Sequence, residues 1–284
     1  MLTSQRYEQY SDAEHNVWRT IFDCNKKFFH LYAHRLYEPY LAGLEGLELD
    51  PERIPSIETI NAKLNSTGWK TACVDGYVPP AVYANLIANR IFPLSRNMRN
   101  EKFIQFSPTP DLAHDVFGHL PLLFDEAHRD YLQRVAALMC RAAKSPLDDA
   151  LYIANRRLGA LCSMLDPPPV LVAEAEAEVD RIQRQLRVTP SELTQLARLF
   201  LWSIEFGLIG TRDSYRILGA GLLSSISECA SLYAPGVEIR PYSIAVIEQD
   251  IHFSEYQSQY YLIDSQEHMM QVLDEYSAKM ATRH

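Results

Sequence analysis

The sequence predicts a mainly α-helical protein with a small β component. Helix starts are well marked, because Ser11-Asp12-Ala13-Glu14 and Thr189-Pro190-Ser191-Glu192 carry the residues of capping boxes ahead of apolar stretches. Stretches with the alternation and β-branching of strands are short and few. The chain has 284 residues, of which 47% are hydrophobic, and can bury a sizeable core. We therefore expect a single domain over 1–284.

The individual elements follow from the same signals. The first capping box begins a long helix that reaches about Leu36, with Val17, Ile21 and Phe28 near helical spacing. Alternating and β-branched residues predict a strand over 70–78. The other predicted elements are helices over 57–64, 81–90 and 125–144, a strand over 260–263, and a last helix that begins at an Asp264-Ser265-Gln266-Glu267 cap and runs to about 280.

Charge and cysteine content limit the class of protein. The net charge of −9 does not favour binding to nucleic acid or to an acidic membrane surface. The five cysteines are odd in number and widely spaced, which is typical of reduced thiols in a cytoplasmic protein. The N-terminal residues are charged throughout, and no long uncharged apolar run follows them. We expect a cytoplasmic protein that is neither secreted nor inserted into a membrane.

Two histidines in one short segment are candidate metal ligands. Thr109-Pro110 predicts a helix that begins at its proline and carries His114 and His119. Five residues correspond to about 140° of rotation on an α-helix, so the helix must end or distort for both to reach one ion. Gly118, by adopting left-handed angles, and Pro121 supply the means. Alternatively, one histidine is a hydrogen-bonded core residue and the other lies on the surface.

A carboxylate on a buried helix is the third candidate ligand. Glu205 interrupts the otherwise almost wholly apolar stretch Leu199–Ile209, on the helix that the second capping box begins near residue 190. A carboxylate in such a setting needs a compensating charge. The alternative to a metal is a buried ion pair with Arg212 or Arg216.

Two histidines and one carboxylate form the facial triad that holds ferrous iron on one side and leaves the other side open. The sequence therefore predicts His114, His119 and Glu205 as metal ligands and catalytic residues, with iron favoured over zinc.

Three ordered motifs resemble the tetrahydropterin-dependent aromatic amino acid hydroxylases, and among them the bacterial phenylalanine hydroxylases most closely. The resemblance extends from about Thr67 to Ser265. The motifs are Pro-x-Pro-Asp-x-x-His-Asp-x-x-Gly-His-x-Pro-Leu from Pro108, x-x-Glu-Phe-Gly around Glu205, and Gly219-Ala220-Gly221-Leu222-Leu223-Ser224-Ser225-x-x-Glu228.

The resemblance implies the catalytic-domain fold of that family and its reaction. Family members hydroxylate an aromatic ring with Fe(2+), dioxygen and a tetrahydropterin such as tetrahydrobiopterin. It implies phenylalanine as the substrate, hydroxylated at the para or meta position, with tryptophan or another aromatic compound as the alternative. A zinc hydrolase and a non-catalytic helical binding protein are the remote alternatives, and a monomer or dimer is expected.

The resemblance also implies roles for residues around the metal. By position, Tyr83 stacks on the pterin, Val78 lies beside it, and Asp115 is an acidic residue next to it. Asp111 is expected to orient the neighbouring backbone or to support a metal-bound imidazole through an outer hydrogen bond.

Five further residues are implied in substrate binding. Arg99 matches the clamp on the substrate carboxylate, and Ser107 a residue that helps to hold the amino acid. Gly221 permits close approach of a substrate backbone or, alternatively, tight packing between helices. Ser224 contacts the amino acid or a histidine ligand, with Glu228 supporting the site. The fifth residue, Leu201, occupies the place of a bulky aromatic residue that lines the ring pocket in the family.

Two departures set this chain apart. Leu201 and its neighbour Trp202 are expected to reshape the ring pocket, because one place along a helix is about 100° of rotation and Trp202 cannot simply substitute. Residues 145–188 do not fit the short bacterial pattern and predict a helical insertion, with helices over 147–165 and 170–186 around a Pro167-Pro168-Pro169 break. We expect either a surface excursion or an active-site lid or partner contact.

Overall fold

A computed structural model describes residues 2–105, 107, 109–251 and 256–282. The fold is mainly α-helical with a small β component, as predicted. The α-helices are α1 Asp12–Tyr32, α2 Glu38–Leu47, α3 Ile57–Leu64, α4 Pro80–Ala88, α5 Leu112–His114, α6 Glu126–Met139, α7 Pro146–Cys162, α8 Pro169–Val188, α9 Glu192–Phe200, α10 Ala220–Leu223, α11 Ile226–Ser231 and α12 Gln266–Ala281.

Two π-helices and several 3-10 helices extend or connect these elements. The π-helices are Asp115–His119 and Leu201–Glu205. The 3-10 helices are Tyr7–Gln9, Ala33–Arg35, Asn65–Thr67, Glu101–Phe103, Leu120–Phe124 and Ile244–Glu248.

The strands form two small sheets. The strands are β1 Lys70–Val74, β2 Ile91–Ser95, β3 Gly207–Thr211, β4 Ser214–Ile217, β5 Glu238–Pro241 and β6 Gln259–Ile263. In the first sheet β1 pairs with β2 in parallel, with Lys70 opposite Ile91, and α4 is the crossover between them. The second sheet has the order β4-β3-β6-β5, in which only the β3–β4 pair is antiparallel.

Most predicted elements are present, with shifted ends. The capping box at Ser11 and Glu14 and the helix over 57–64 are confirmed. The predicted strand over 70–78 was too long, because it ends at Val74 and the chain turns through Gly76 at a φ of 66°. The helix predicted to run to 144 ends at Met139.

Two hydrophobic clusters stabilise the described fold. The main core surrounds the fully buried side chains of Trp18, Tyr40, Tyr131 and Trp202 and includes residues from both sheets. A separate small hydrophobic cluster lies between α7 and α8 and includes Leu158, Val179 and Ile182. Within the described residues, none of the helices has the combined length and apolarity that a membrane span requires.

Candidate metal centre and pocket

The first ligand segment begins with a capped turn. The Asp111 carboxylate accepts a hydrogen bond from the His114 amide at 2.9 Å and caps α5, which starts at Leu112. The prediction that the helix starts at Pro110 was therefore wrong by two residues. After His114 the backbone continues as the π-helix Asp115–His119. Hydrogen bonds of a π-helix join residues five apart, so the distortion expected between the two histidines is present and brings both side chains to one face.

Gly118 serves close packing in this segment and does not supply left-handed backbone angles as predicted. It lies inside the π-helix, and its φ is not positive. A Cβ atom on Gly118 would lie 2.5 Å from the carbonyl oxygen of Ala220. Its missing side chain thus lets α10, which carries the Gly219–Ser224 motif, approach the histidine segment.

The second ligand segment has a similar build. Ser191 caps α9 by accepting a hydrogen bond from the Thr194 amide at 2.9 Å, so the predicted start near residue 190 was slightly early. The helix passes into the π-helix Leu201–Glu205, and β3 follows. The alternative ion pair is not formed, because Arg216 lies 3.7 Å from Glu38 and Arg212 is exposed.

Three predicted ligand side chains converge on one point. Nε2 of His119 lies 3.1 Å from Oε1 of Glu205, and Nε2 of His114 lies 3.8 Å from Oε2 of the same carboxylate. The two Nε2 atoms are 3.2 Å apart. A carboxylate oxygen of Asp115 is also within 4.8 Å of the two imidazoles, but Asp115 accepts the Ser95 amide at 2.6 Å. Glu205 is therefore the better third ligand.

Ser224 determines the tautomer of His114. Its hydroxyl lies 2.8 Å from Nδ1 of His114 and donates its proton to the carbonyl oxygen of Ala220, also at 2.8 Å. A hydroxyl has one proton, so Nδ1 of His114 must be the donor to Ser224. Nε2 then carries a free lone pair that points toward His119 and Glu205.

Ser224→Ala should lower iron affinity by about 10- to 100-fold, because removal of such an outer hydrogen bond loosens the ligand orientation. The measurement is a competition titration with a chelator, followed by metal analysis. Ser227→Ala is the matched control, since the exposed Ser227 hydroxyl donates only to the carbonyl oxygen of Gln105. Equal iron affinity in both variants would contradict the role of Ser224.

The electrostatics of the cluster favour a cation. Burial lowers the pKa of His114 to about 4, so this imidazole is neutral near pH 7. Burial alone would lower the pKa of His119, but the Glu205 carboxylate outweighs it and the pKa is raised. Burial alone would raise the pKa of Glu205, yet His119, His114 and the amide of Gly221 together lower it. The carboxylate is thus ionised.

The donor set fits a divalent metal. Imidazole, imidazole and carboxylate are the ligands of a ferrous facial triad, and the tautomer of His114 is the one that metal binding requires. A metal ion would replace the direct contact between Nε2 of His119 and Oε1 of Glu205, which are 3.1 Å apart.

The cluster opens into a cavity of about 590 Å³, a size typical of small-molecule sites. The residues predicted to bind the cofactor, Tyr83, Val78 and Asp115, all line it. The Tyr83 ring meets Phe200 edge-on at 5.6 Å. Its hydroxyl is buried without a hydrogen-bond partner among the described residues, which is a place for a ligand polar group. Burial also raises the pKa of Asp115 to about 7.

The residues predicted to bind the substrate also line this cavity: Arg99, Ser107, Leu201, Gly221 and Ser224. Arg99 is buried and makes a two-point ion pair with Asp111, at 2.7 Å from Nε and 2.6 Å from Nη2. That edge of the guanidinium is occupied, and Nη1 donates to the carbonyl oxygens of Phe103 at 3.3 Å and Ile104 at 3.5 Å. A substrate carboxylate would have to displace these weaker contacts. The Ser107 hydroxyl donates to the carbonyl oxygen of Thr109 at 2.7 Å.

Glu228 is a second buried carboxyl group in the cavity wall. It accepts hydrogen bonds from the Tyr260 hydroxyl at 3.3 Å and the Gln257 amide at 3.4 Å. Burial raises its pKa from 4.5 to about 7.

The raised pKa of Glu228 makes stability pH-dependent. The folded state holds the proton more tightly than the unfolded state, so this contribution is fully present below about pH 4.5 and is lost as pH rises through 7. Glu228→Gln, neutral at every pH, should gain about 2–3 kcal/mol over the parent protein between pH 5 and 8. Urea unfolding across that range measures the difference. A constant difference at all pH values would contradict the prediction.

One wall of the cavity comes from the predicted insertion, for which an active-site role was one of the expectations, but none of its lining residues was predicted from the sequence. Asn155 and Gly159 of α7, and Ser163 directly after the helix, line it together with Tyr77 from the loop after β1. The available signal was the spacing of these three residues on the predicted helix over 147–165, which places them on one face.

Comparisons with known proteins agree with this arrangement. Residues 6–148 and 177–284 match the family described as biopterin-dependent aromatic amino acid hydroxylase. The chain is 30% identical to phenylalanine-4-hydroxylase of Chromobacterium violaceum over 268 residues, which cover 92% of this chain and 73% of that protein. It is 29% identical to phenylalanine-4-hydroxylase of Caulobacter vibrioides, covering 94% and 76%.

A solved structure of the C. violaceum enzyme with iron(III) and the oxidised cofactor 7,8-dihydrobiopterin superposes with a TM-score of 0.74 at 28% identity. The superposition covers 99% of this chain and 85% of that one.

Proposed function

The chain belongs to the biopterin-dependent aromatic amino acid hydroxylases, and on that premise we propose that it hydroxylates the ring of phenylalanine at the para or meta position. The observation that carries this proposal is the convergence of two imidazoles and one carboxylate within 3.8 Å, at the wall of a cavity that also contains Tyr83 and Arg99. Relatives named phenylalanine-4-hydroxylase support the substrate.

We propose that His114, His119 and Glu205 hold the iron. When bound, iron and the reduced pterin together activate dioxygen for insertion into an aromatic ring. Ser224 holds His114 in the tautomer that leaves Nε2 free. The Gly221 amide hydrogen-bonds the Glu205 carboxylate and helps to keep it ionised. These contacts fix the ligand atoms before the metal arrives and reduce the reorganisation that binding would need.

The remaining lining residues would orient the two organic molecules. Tyr83 offers a flat ring and a buried hydroxyl without a partner to the pterin, with Val78 and Asp115 beside it. Arg99 would bind the substrate carboxylate through Nη1, in exchange for its longer contacts to the carbonyl oxygens of Phe103 and Ile104, with Ser107 nearby.

The ring position is the open part of this proposal, and Leu201 bears on it. Leu201 lines the cavity, whereas Trp202 is fully buried and donates its indole N–H to the carbonyl oxygen of Gln249. Trp202 therefore points into the core, and the cavity has a smaller residue where a bulky aromatic is usual. This space favours a rotated phenylalanine ring or, as the alternative substrate, the larger ring of tryptophan.

The test is product analysis after aerobic incubation of iron-loaded protein with tetrahydrobiopterin and phenylalanine, tyrosine or tryptophan separately. We expect a hydroxylated phenylalanine, and NMR assigns the position. Tryptophan as the preferred substrate would replace phenylalanine in the proposal while leaving the chemistry intact. Activity without pterin or dioxygen would overturn the chemistry itself and would point to a hydrolase.

We further propose that the chain is a single catalytic domain with a helical insertion at about 145–188. The family match leaves 149–176 uncovered, and α7 and α8 share their own hydrophobic cluster. We expect a monomer or dimer in the cytoplasm that uses dioxygen as its oxidant. Light scattering coupled to size-exclusion chromatography measures the oligomeric state.

A further inference from the structure

Helix α7 lies along the cavity instead of projecting away from the protein. Asn155, Arg156, Gly159 and Cys162 of α7, and Ser163 directly after the helix, line the cavity at intervals of three and four residues. Leu158 and Ala160 line it beside them. Most of this helix belongs to 149–176, the part of the chain that the family match leaves uncovered.

Both ends of α7 are attached to the body of the protein. At the start, the Asp148 carboxylate accepts a hydrogen bond at 2.8 Å from the hydroxyl of Ser191, the cap of α9. At the end, the carbonyl oxygen of Ser163 accepts a hydrogen bond from the side chain of Asn100 at 3.1 Å, and its hydroxyl lies 3.3 Å from that of Thr109. These contacts fix the helix as a wall of the cavity.

The middle of α7 is attached through Tyr152 to the loop after β1. The Tyr152 hydroxyl donates a hydrogen bond to the carbonyl oxygen of Tyr77 at 3.1 Å. The two rings stack with centroids 5.4 Å apart and planes at 24°. Tyr152 therefore contacts both the backbone and the ring of Tyr77.

That loop leads directly to the residues proposed to bind the pterin. Val78 follows Tyr77, and Pro79-Pro80 leads into α4, which carries Tyr83. On its other side the loop is held by Asp75, whose carboxylate accepts a hydrogen bond from the Asn97 side chain at 3.1 Å. Gly76 has a φ of 66°, which leaves the backbone between these two attachments in a conformation that few residues adopt.

We propose that Tyr152 is a positioning residue for the reduced pterin, acting through Tyr77 on the loop that carries Val78. The proposal rests on the proposed function. Without the Tyr152 contact, the described residues hold the loop chiefly at Asp75, which Asn97 and Arg96 contact, and the edge of the cavity against which the pterin binds becomes more mobile. The proposed metal ligands lie on other segments, between Leu112 and His119 and between Leu201 and Glu205, so iron binding should not depend on Tyr152.

Two variants separate the two contacts of Tyr152. Tyr152→Phe keeps the ring stack and removes the hydrogen bond, and should weaken pterin binding by about threefold. Tyr152→Ala removes both contacts and should weaken it by about tenfold or more. Ile153→Ala is the matched control, because Ile153 is the next residue on α7 and is 65% exposed.

The first readout is the dissociation constant for tetrahydrobiopterin, measured by anaerobic calorimetry on iron-loaded protein, with iron content and Tm recorded for each variant. The second is steady-state kinetics. The KM for the pterin should rise in parallel with the dissociation constant. The kcat at saturating pterin and the KM for phenylalanine should stay within about twofold of the parent values, because only pterin binding is affected.

Folded Tyr152 variants that bind tetrahydrobiopterin as tightly as the parent and the Ile153→Ala control would overturn the inference and leave the proposed function intact. An equal loss of iron, phenylalanine and pterin binding would also overturn it, since that pattern indicates a general structural role. A parent protein that binds iron but not tetrahydrobiopterin would overturn both proposals. If Tyr152→Ala does not fold, Tyr152→Phe decides the outcome.

Discussion

Replacing Glu205 with glutamine should reduce iron affinity by more than about 100-fold, the upper end of the loss seen when only an outer contact to a metal ligand is removed. The substitution keeps the shape of the side chain but removes the charge that two imidazoles face at 3.1 and 3.8 Å. Metal analysis after dialysis and turnover with added iron measure the effect, and hydroxylation should fall with the bound iron.

Asp115→Asn is the informative companion variant to Glu205→Gln. Asp115 is the other carboxylate within reach of both histidines, but its oxygen accepts the buried Ser95 amide. We expect the Asp115 variant to retain iron. If Asp115→Asn loses iron while Glu205→Gln retains it, Asp115 is the third ligand. That result would contradict the assignment of Glu205.

Gly219→Ala should destabilise the protein by about 2–4 kcal/mol, in the range of severe overpacking, and should also weaken iron binding. A Cβ atom at Gly219 would lie 2.2 Å from the carbonyl oxygen of Glu205 and 2.7 Å from the amide nitrogen of Phe206. Gly219 has a φ of −67°, which any residue can adopt, so the penalty comes from the clash alone. Relief of the clash requires a change in the spacing between the backbones of Gly219 and Glu205.

Gly46→Ala is the matched control for this prediction. Gly46 lies in α2, and a Cβ atom there would meet only the side chain of Phe124, at 3.2 Å. The ring can shift, and alanine favours the helix, so unfolding by urea should show a change of under about 1 kcal/mol and iron affinity should not change. If the Gly219 variant is as stable as this control and binds iron as tightly, the segments that contain Gly219 and Glu205 are not closely packed.

The residue types predicted which side chains form the site better than they predicted the backbone geometry around it. A histidine pair and a carboxylate on an apolar helix were sufficient to predict His114, His119 and Glu205 as one cluster, which the structure brings together. Capping boxes gave the start of α1 correctly because Ser11 and Glu14 satisfy each other's backbone amides locally. Such signals depend on neighbours in sequence and can be read without the fold.

Features that depend on distant contacts were missed. The role of Gly118 comes from the approach of Ala220, about a hundred residues further along the chain. The pairing of Arg99 with Asp111 was not predicted either, because nothing local distinguishes an arginine that binds a protein carboxylate from one that binds a ligand. The contribution of α7 to the cavity similarly depends on how the helix packs, and periodicity alone did not reveal it.

The two histidines face one point because the backbone between them takes the wider turn of a π-helix, so the number of residues in that turn matters as much as their identity. Deleting one residue between His114 and His119 would restore the ordinary spacing of four, yet it would pull the 3-10 helix Leu120–Phe124 out of register with α2, against which it packs. Substitutions inside the turn, at positions other than the two ligands and the closely packed Gly118, should therefore be tolerated better than length changes. A search for metal sites that accepts only helical pairs at three or four residues would overlook centres of this kind.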